Sequence, residues 1–459
     1  MKRIDSSFRD PDGYMFEYDG ELYRTVNPSY QPDYDHLLSS GLYKQLADRG
    51  LIVSFKEVDQ TTFGLTELYK VLKPERILFI SYPYEWSFNM LKDAALLTLE
   101  IQKIALDYGM SLKDASAFNI QFQNGKPIFI DTLSFELYPI NRPWIAYRQF
   151  CQHFLAPLAI MSRVDPRLNR LFLFNIDGIP LNLAAKILPF SSSLSLGLFL
   201  HIFLHAKAQK KHAERASNLS EHKKLFSSDS MKTLLEGLKV TVENQHWKPI
   251  RTEWEDYTFE GVHKQVYTEF KSMVISNLLD VVNPHLVWDL GANTGHYSRI
   301  AANKGSQVIS FDMDIVCVEK NYLMVKEKKE TKILPLQLDL LNSSPSLGWR
   351  GNERLSIVER SKPDMIMALA IVHHLAISSN IPLESIALFF AELSSYLIVE
   401  FVPKEDEKVQ LLLLNREDIF PDYTQSKFEK AFLNHFKIEQ KIHSNCNGRI
   451  FYLMKKNES

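Results

Sequence analysis

An acid followed by two closely spaced glycines stands out in the stretch "VWDLGANTGHYSRIAANKGSQVISFDMD". Asp289 closes an apolar run and lies two residues before Gly291, and Gly295 follows four residues later. A dinucleotide needs the spacing G-x-G-x-x-G so that the backbone can approach its pyrophosphate, but Asn293 and His296 occupy the second and third glycine positions. A carboxylate near a dianion is also repelled in a partly buried site. The pattern therefore predicts a ligand that carries positive charge near Asp289.

A second acid, Asp312, closes the next apolar run. An acid about 20 residues after the first turn, at the end of the second strand, can accept hydrogen bonds from both hydroxyls of a ribose. Asp314 is the alternative, although it is offset from the end of the run.

The elements around these acids alternate between apolar strands and amphipathic helices. The strands are expected at "HLVWDL", "QVISFD", "ILPLQLDLL", "DMIMALA" and "LIVEFV", and the helices at "GHYSRIAANK", "VCVEKNYLMVKEKK" and "SIALFFAELSSY". Continuous apolar strands separated by such helices predict a parallel sheet covered on both faces, a doubly wound α/β domain. Ligands of such sheets bind at the carboxyl ends of the strands.

The series Asp289, Gly291, Asn293 and Gly295 resembles motif I of the class I S-adenosylmethionine-dependent methyltransferases, and the resemblance extends over residues 257–456. It implies a Rossmann-like fold and S-adenosyl-L-methionine as the cofactor. In that family the acid before the glycines faces the methionyl ammonium, and the glycines let the backbone pass close to the cofactor. The resemblance thus accounts for the positive charge expected near Asp289.

The same resemblance assigns the remaining cofactor contacts. It gives Asp312 the ribose hydroxyls, and it gives Asp339, in "QLDLL" at the end of the third strand, the adenine amino group. Leu340 would lie beside the adenine ring. We therefore expect three acids at three successive strand ends along one edge of the sheet.

Two adjacent histidines, His373 and His374, close the fourth apolar run, "DMIMALAIVHHL". Methyl transfer needs an aligned acceptor and, for a hydroxyl acceptor, removal of a proton, which a histidine can perform. Similar pairs occur in small-molecule methyltransferases of this superfamily, where some act as the base and others only shape the pocket. Both alternatives stay open. Glu400, in "LIVEFVP", could bind a polar group of the acceptor or be a solvated acid.

Two methylation signatures are absent from the sequence. No N-P-P-Y follows the fourth strand, as amino-nitrogen methylation of adenine or glutamine would require, and no Pro-Cys pair follows it, as cytosine C5 methylation would require. Cys317 lies on the expected second helix instead. The acceptor is therefore left unidentified, with a small molecule favoured over a macromolecule.

The first half of the chain carries a different pattern in "LKDASAFNIQFQNGKPIFIDTLSFE". Asp114 precedes Asn119 by five residues, and Asp131 ends the second strand of a hairpin that turns at an Asn-Gly pair. The arrangement resembles the catalytic loop and magnesium site of kinase-like folds. It implies an α+β domain over residues 8–206 in which Arg24 stands where a phosphate-pairing lysine is expected. No glycine-rich loop precedes it, so we expect a degenerate kinase-like domain without phosphoryl transfer.

The elements upstream of this pattern are expected to have a kinase-like order. "GYMFEYDGELYRTV" predicts a hairpin that turns at Asp19 and Gly20, and "DYDHLLSSGLYKQLADRG" predicts a helix. "LIVSFKEV" and "ERILFISY" predict two strands, and "MLKDAALLTLEIQKIALDYGM" a long amphipathic helix. The alternative is that the spacing of Asp114 and Asn119 is coincidental and that this half is an unrelated α+β domain.

Length and composition set the frame for both halves. A chain of 459 residues favours two domains, which we place at 1–206 and 255–459 with a connector at 207–254. A net charge of −2 gives no signal for nucleic acid. Three separated cysteines show neither a disulfide framework nor a metal motif, so a cytoplasmic location and no metal site are expected. The basic cluster Lys207, Lys210, Lys211, His212 and Arg215 is expected to be a solvated helix face.

One stretch, "ILPFSSSLSLGLFLHIFLH" at residues 187–205, is apolar enough to raise a membrane question. It contains a proline, four serines and two histidines, so a buried helix is favoured over a membrane span. Association with a membrane surface is the remaining alternative.

These observations together predict an S-adenosylmethionine-dependent methyltransferase whose first domain recognises the acceptor or regulates the enzyme. The arrangement is similar to the bacterial group of nodulation-protein-like methyltransferases. Two alternatives remain: a bifunctional kinase-methyltransferase, and a non-catalytic, cofactor-binding assembly protein.

Overall fold

The computed structural model describes residues 1–139, 142–208, 228–248, 250, 252, 262–414, 417–444 and 447–458. The chain divides into two compact units. Unit 1 consists of Met1–Lys248 and Ser346–Leu355, and unit 2 consists of Pro249–Pro345 and Ser356–Ser459. Most of the basic cluster, from Lys210 to Arg215, lies outside the described residues, as does Cys446.

Unit 1 begins with a five-stranded antiparallel sheet in the order β1-β2-β3-β5-β4. Two small hairpin-like pairs, β6-β9 and β7-β8, follow a long helix, and the rest of the unit is mainly helical. The strands are β1 (Lys2–Arg3), β2 (Met15–Tyr18), β3 (Glu21–Val26), β4 (Phe55–Val58), β5 (Lys70–Pro74), β6 (Met110–Leu112), β7 (Ile120–Gln123), β8 (Lys126–Phe129) and β9 (Phe135–Leu137). The helices are α1 (Gln31–Ser39), α2 (Leu42–Asp48), α3 (Phe88–Asp107), α4 (Tyr147–Phe150), α5 (Ala156–Arg163), α6 (Leu181–Ile187), α7 (Leu196–Leu198) and α8 (Ser228–Glu243).

Several local predictions for unit 1 are confirmed and two are wrong. The hairpin turns at Asp19 and Gly20, and the long amphipathic helix is α3. The single helix expected over residues 33–50 is two helices, α1 and α2. The strand expected at residues 75–82 is a loop, in which Phe79 is buried while Leu78 and Ile80 are 38% and 37% exposed. A short apolar run alone does not separate these two cases.

The predicted domain boundaries differ from the observed ones at the connector. Helix α8 packs on α3, and Lys92 Nζ donates to the backbone carbonyls of Glu243 (2.7 Å) and Gln245 (2.8 Å). Residues 228–248 of the expected connector are therefore part of unit 1. Ser346–Leu355 also belongs to unit 1, where the Leu355 N–H donates to the Tyr82 hydroxyl at 2.9 Å.

Unit 2 is built on a seven-stranded sheet in the order β12-β11-β10-β13-β14-β16-β15. The first five strands of that order are parallel, and β16 is antiparallel to both of its neighbours. The strands are β10 (Leu286–Leu290), β11 (Gln307–Asp312), β12 (Ile333–Gln337), β13 (Met365–Ala368), β14 (Tyr396–Phe401), β15 (Phe436–His443) and β16 (Ile450–Lys456). The helices are α9 (Val262–Val282), α10 (His296–Asn303), α11 (Ile315–Lys328), α12 (Leu383–Leu393), α13 (Glu407–Leu413) and α14 (Gln425–Leu433).

The doubly wound parallel sheet predicted for this half is confirmed. Buried apolar side chains fill the space between the central strands and the helices, among them Val287, Met367 and Ile398. The chain runs from β10 outward to β12 and then returns to β13 on the other side of β10. The strand order therefore reverses between β10 and β13, and such a reversal opens a crevice at the carboxyl ends of the strands. Asp289 pairs in register with Ser310 on one side and Met367 on the other.

Candidate functional site at the carboxyl edge of unit 2

Asp289 is a buried carboxylate beside the first strand-to-helix turn. The Ser298 hydroxyl donates to its Oδ2 at 2.6 Å, and that hydroxyl lies 2.9 Å from the Ser310 hydroxyl. Burial raises the pKa of Asp289 to about 6, although the Ser298 hydrogen bond and the charge of Lys271 act in the opposite direction. The ionised form is therefore held at a cost that a nearby cation would reduce.

The turn after Asp289 has the left-handed backbone that its glycines allow. Gly291 has φ +73°, and a Cβ there would lie 2.5 Å from Ile371 Cγ2. Gly295 has φ +80°, and a Cβ there would lie 2.6 Å from the Asn321 side chain. Asn293 is also left-handed, with φ +51°. The left-handed backbone and the close packing against these neighbours account for both glycines.

Asp312 ends β11 and is joined to the same turn. Its Oδ2 accepts the Asn293 N–H at 2.7 Å, and its Oδ1 accepts the Asp314 N–H at 2.8 Å. Burial raises its pKa to about 6, and the backbone hydrogen bonds from Asp314 and Asn293 oppose the shift. Asp314, the alternative ribose acid, instead caps α11 by accepting the Val316 N–H at 2.9 Å. The structure thus gives Asp314 a structural task and leaves Asp312 at the crevice.

Asp339 and Leu340 lie just beyond the third strand rather than at its end, because β12 stops at Gln337. The Leu338 N–H donates to the Asp312 carbonyl at 2.9 Å, which keeps the segment beside the end of β11. Asp339 Oδ1 accepts the Leu341 N–H at 2.9 Å, and both Asp339 and Leu340 are partly exposed. The third acid is therefore in a turn at the same edge as the first two.

His373 and His374 follow the fourth strand after a left-handed residue, Ala370, with φ +55°. The fourth strand was expected to extend to the two histidines, but it ends at Ala368. The histidines lie instead at the start of a helical turn. Within the described residues, neither ring nitrogen of the buried His373 has a hydrogen-bond partner. The ring centroids of His373 and His374 are 4.1 Å apart. Burial, followed by the proximity of His374 and Arg449, lowers the pKa of His373 well below its usual value. Burial lowers the pKa of His374 to about 4, so both rings are neutral at neutral pH.

A buried ionic network lies at the end of the fifth strand, where Glu400 is fully enclosed. Its carboxylate accepts hydrogen bonds from Lys271 Nζ (2.5 Å), the Tyr267 hydroxyl (2.6 Å) and Arg449 Nη1 (3.1 Å), and Arg449 Nε also donates to Asp406 at 2.8 Å. Burial alone raises the pKa of Glu400, but Lys271 and Arg449 together hold it at about 2. The expectation of a solvated acid at Glu400 is therefore wrong.

In unit 1, the structure brings Asp114, Asn119 and Asp131 together. Asn119 Nδ2 donates to the Ser134 hydroxyl at 3.2 Å, and that hydroxyl donates to Asp131 Oδ2 at 2.6 Å. Burial and then the charge of Asp131 raise the pKa of Asp114, which also accepts a hydrogen bond from Asn119. Arg24 Nη2 lies 2.9 Å from Asp131 Oδ1, so the carboxylate that would hold a metal ion already has a cationic partner.

No family model matches the chain. The chain is 32% identical over 468 residues to the nodulation protein NoeA of Rhizobium meliloti (strain 1021), and the alignment covers 99% of this chain and 96% of NoeA. The chain belongs to the NoeA family.

Solved structures similar to this NoeA-family chain include two methyltransferases. The magnesium protoporphyrin IX methyltransferase of Synechocystis PCC 6803 with bound SAH has a TM-score of 0.32 and 17% identity, over 44% of this chain and 93% of that chain. The N-methyltransferase NodS of Bradyrhizobium japonicum WM9 has a TM-score of 0.32 and 9% identity, over 43% of this chain and 100% of that chain. In the part of the NoeA-family chain that the structure describes, no helix has both the length and the hydropathy that a membrane crossing requires.

The residues that sequence reasoning missed in this NoeA-family chain are Tyr267, Lys271, Ser298 and Arg449. Lys271 and Arg449 are separated from Glu400 by many residues along the chain, and neither stands in a recognisable motif. The one available signal was an acid inside the apolar run "LIVEFV", because a charge within such a run requires a buried partner.

Proposed function

We propose that unit 2 binds S-adenosyl-L-methionine at the carboxyl edge of β10, β11 and β12 and transfers its methyl group to an acceptor. One observation carries the proposal: two buried carboxylates lie at the carboxyl ends of neighbouring parallel strands beside the strand-order reversal, Asp289 as the penultimate residue of β10 and Asp312 as the last residue of β11. Both have a pKa raised to about 6 by burial, so each is costly to ionise without a ligand. A ligand with an ammonium group and ribose hydroxyls supplies a partner for each acid.

The residues at this edge fit such a ligand in three places. Asp289 would face the methionyl ammonium, because it is the acid nearest the left-handed turn of Gly291 and Gly295. Asp312 keeps lone pairs free after accepting two backbone N–H groups, so it can also accept ribose hydroxyls. Asp339 and Leu340, which follow β12, would border the adenine ring.

S-adenosyl-L-methionine supplies an electrophilic methyl carbon on a sulfonium: the carbon–sulfur bond breaks, sulfur keeps the electron pair, and the carbon forms a bond to the acceptor. The acceptor atom must also lose a proton if it is a hydroxyl. His373 and His374 are neutral, and a neutral imidazole can accept that proton. His374 is the less enclosed of the two, and we assign it the role of base. His373, fully buried beside it, would hold the adjacent wall of the pocket.

Unit 1 is proposed to be a degenerate kinase-like domain that recognises the acceptor or regulates the enzyme. The order of its elements supports this: three strands, two helices, two strands, a long helix, a short strand, a loop with Asp114 and Asn119, a hairpin and then Asp131. Arg24 is paired with Asp131 and also with Asp10. Arg24 would bind the phosphates and Asp131 the metal ion in a working kinase, but here their charges neutralise each other. Phosphoryl transfer depends on such groups being available to the nucleotide. We therefore favour a scaffold over a working kinase.

The experiment that tests methyl transfer uses S-adenosylmethionine labelled in its methyl group. The purified protein is incubated with this cofactor and fractionated extract of the source cells, with small molecules and macromolecules separated beforehand. We expect label in one small-molecule fraction, and no label there with the Asp289→Asn variant. Binding of the cofactor without label in any fraction would favour the non-catalytic assembly protein instead.

A further inference from the structure

The sequence segment that contains α6 and α7 has no acidic residue, although α8, which packs on α7, carries Glu236 and Glu243. Between Asp177 and Glu214 the sequence has no Asp or Glu, while lysines stand at positions 186 and 207. Within it, residues 196–208 form one continuous helical segment, here called the apolar helix, which includes a wide turn at Phe199–Leu204. At 1.5 Å per residue the apolar helix is about 20 Å long.

The inner face of the apolar helix is fixed to the rest of unit 1. Leu198, Ile202 and Ala206 are buried. His201 Nδ1 lies 2.8 Å from the Tyr147 hydroxyl, and the Tyr147 ring stacks on His205 with the ring centroids 5.0 Å apart. The orientation of the helix on unit 1 is therefore set by packing along its whole length.

The outer face of the apolar helix is hydrophobic and exposed, which contradicts the expected buried helix at residues 187–205. Its large side chains recur at helical spacing, and the turn before it adds two more. The exposed fractions are 85% for Phe190, 80% for Leu194, 72% for Leu196, 38% for Phe199, 41% for Leu200 and 47% for Leu204. A contiguous apolar face of this kind on a folded domain marks an interaction site.

Charge decides between the occupants of this face. Lys207 lies one turn beyond Leu204 on the exposed side, and Lys186 is exposed just before the turn that carries Phe190. The sequence then continues as "KAQKKHAER" with a single acid. Lipid phosphates would be repelled by acids on such a face, and the stretch has none between Asp177 and Glu214. A helix that lies in the plane of a bilayer surface typically has phenylalanine and leucine on one face and lysines at the edges of that face.

We infer that the apolar helix and the preceding turn insert into the surface of a bilayer that contains anionic lipid, with Lys186 and Lys207 at the headgroups. The helix lies flat, because its inner face is held along unit 1, and it does not cross the bilayer. The contact is independent of methyl transfer. It would keep the enzyme beside acceptors that reside at a membrane.

The test is flotation of the full chain with vesicles of phosphatidylcholine alone and with vesicles that also contain phosphatidylglycerol. We expect binding to the anionic vesicles and much weaker binding to the neutral ones. The variant with Leu196→Asp and Leu200→Asp should lose at least about tenfold in vesicle affinity, since each leucine contributes apolar burial that an acid removes. Both side chains are exposed, so the variant should fold normally, which circular dichroism checks.

The matched control is Leu414→Asp in unit 2, because Leu414 is exposed to the same 72% as Leu196. It should bind anionic vesicles as the wild type does. Wild-type protein that ignores anionic vesicles, or a double variant that still binds them, overturns the inference. A wild-type dimer that becomes monomeric in the double variant would assign the face to a second copy of the chain. Equal binding to both vesicle types would contradict the proposed contact between the two lysines and anionic headgroups.

Discussion

Asp289→Asn should make the ligand-free protein more stable at neutral pH while weakening its affinity for the cofactor. Asparagine keeps an oxygen for the Ser298 hydroxyl, which lies 2.6 Å from Asp289 Oδ2, and it removes the buried charge. The wild-type carboxylate is ionised at neutral pH although its surroundings favour the neutral form. A charge that costs stability in the free protein is expected where a cationic ligand is to bind.

The magnitude follows from the pKa of Asp289, which burial raises from an ordinary value of 3.8 to about 6. Between these two values the folded protein binds more protons than the unfolded chain, so the free energy of unfolding falls as pH rises through this window. At about 1.4 kcal/mol per pKa unit, the loss is roughly 3 kcal/mol above pH 6, and it is absent below pH 4. The Asn variant lacks this loss. The difference in stability between variant and wild type should therefore grow by up to about 3 kcal/mol from pH 4 to pH 8.

Hydrogen exchange measured by mass spectrometry on peptides from residues 286–312 isolates unit 2, which matters because a chain of two units need not unfold in one step. Rates are corrected for the intrinsic effect of pH and converted to opening free energies. The control is Asp422→Asn, whose side chain is 78% exposed, and its protection should follow that of the wild type at every pH. If Asp289→Asn is less protected than the wild type at pH 8 without ligand, the carboxylate is needed for folding and the reasoning fails.

Three further outcomes are expected. Glu400→Gln should destabilise unit 2 by roughly 3 to 5 kcal/mol in urea denaturation, because it leaves the buried Lys271 without its carboxylate partner. Adding Lys271→Met should recover part of this loss. An unaltered urea midpoint for the single variant would show that the ion pair does not stabilise the unit. His374→Ala should lower turnover on the true acceptor by roughly a hundredfold or more and leave cofactor affinity nearly intact, whereas a lost affinity with normal turnover would make it a cofactor contact. Neither the wild type nor Asp131→Ala should show a thermal shift with ATP and magnesium, and magnesium-dependent ATP turnover that Asp114→Ala abolishes would establish a working kinase instead.

The parts of the fold that sequence predicted are those fixed by neighbouring residues. The sequence placed Asp289 and Asp312 at one edge of the sheet because each lies at the carboxyl end of an apolar run, and in a parallel sheet such ends meet at one edge. The hairpin at Asp19 and Gly20 was predicted because its turn type needs those residues. In these cases, a few neighbouring positions determine the local chain geometry.

The parts that sequence did not predict depend on distant contacts. Glu400 meets Lys271 and Arg449 only in the folded sheet, so a single acid in an apolar run gave no partner. The apolar run at 75–82 was expected to be a strand, but a short apolar run does not by itself establish strand pairing. The apolar helix was expected to be buried because its sequence is apolar, but only its inner face is buried, since the exposed face depends on where the rest of unit 1 ends.

Isothermal titration calorimetry of the purified chain measures whether the two buried acids, Asp289 and Asp312, hold S-adenosylmethionine. We expect binding of S-adenosylmethionine and of its demethylated product to the wild type. Asp312→Ala should weaken both, because lost hydrogen bonds to a charged group cost roughly 1.5 to 3 kcal/mol, or about tenfold to a hundredfold in affinity. Asp314→Ala is the comparison, since that acid caps α11 and should matter for stability more than for affinity. Affinity that Asp312→Ala leaves unchanged, or a wild type that does not bind either compound, would contradict the account.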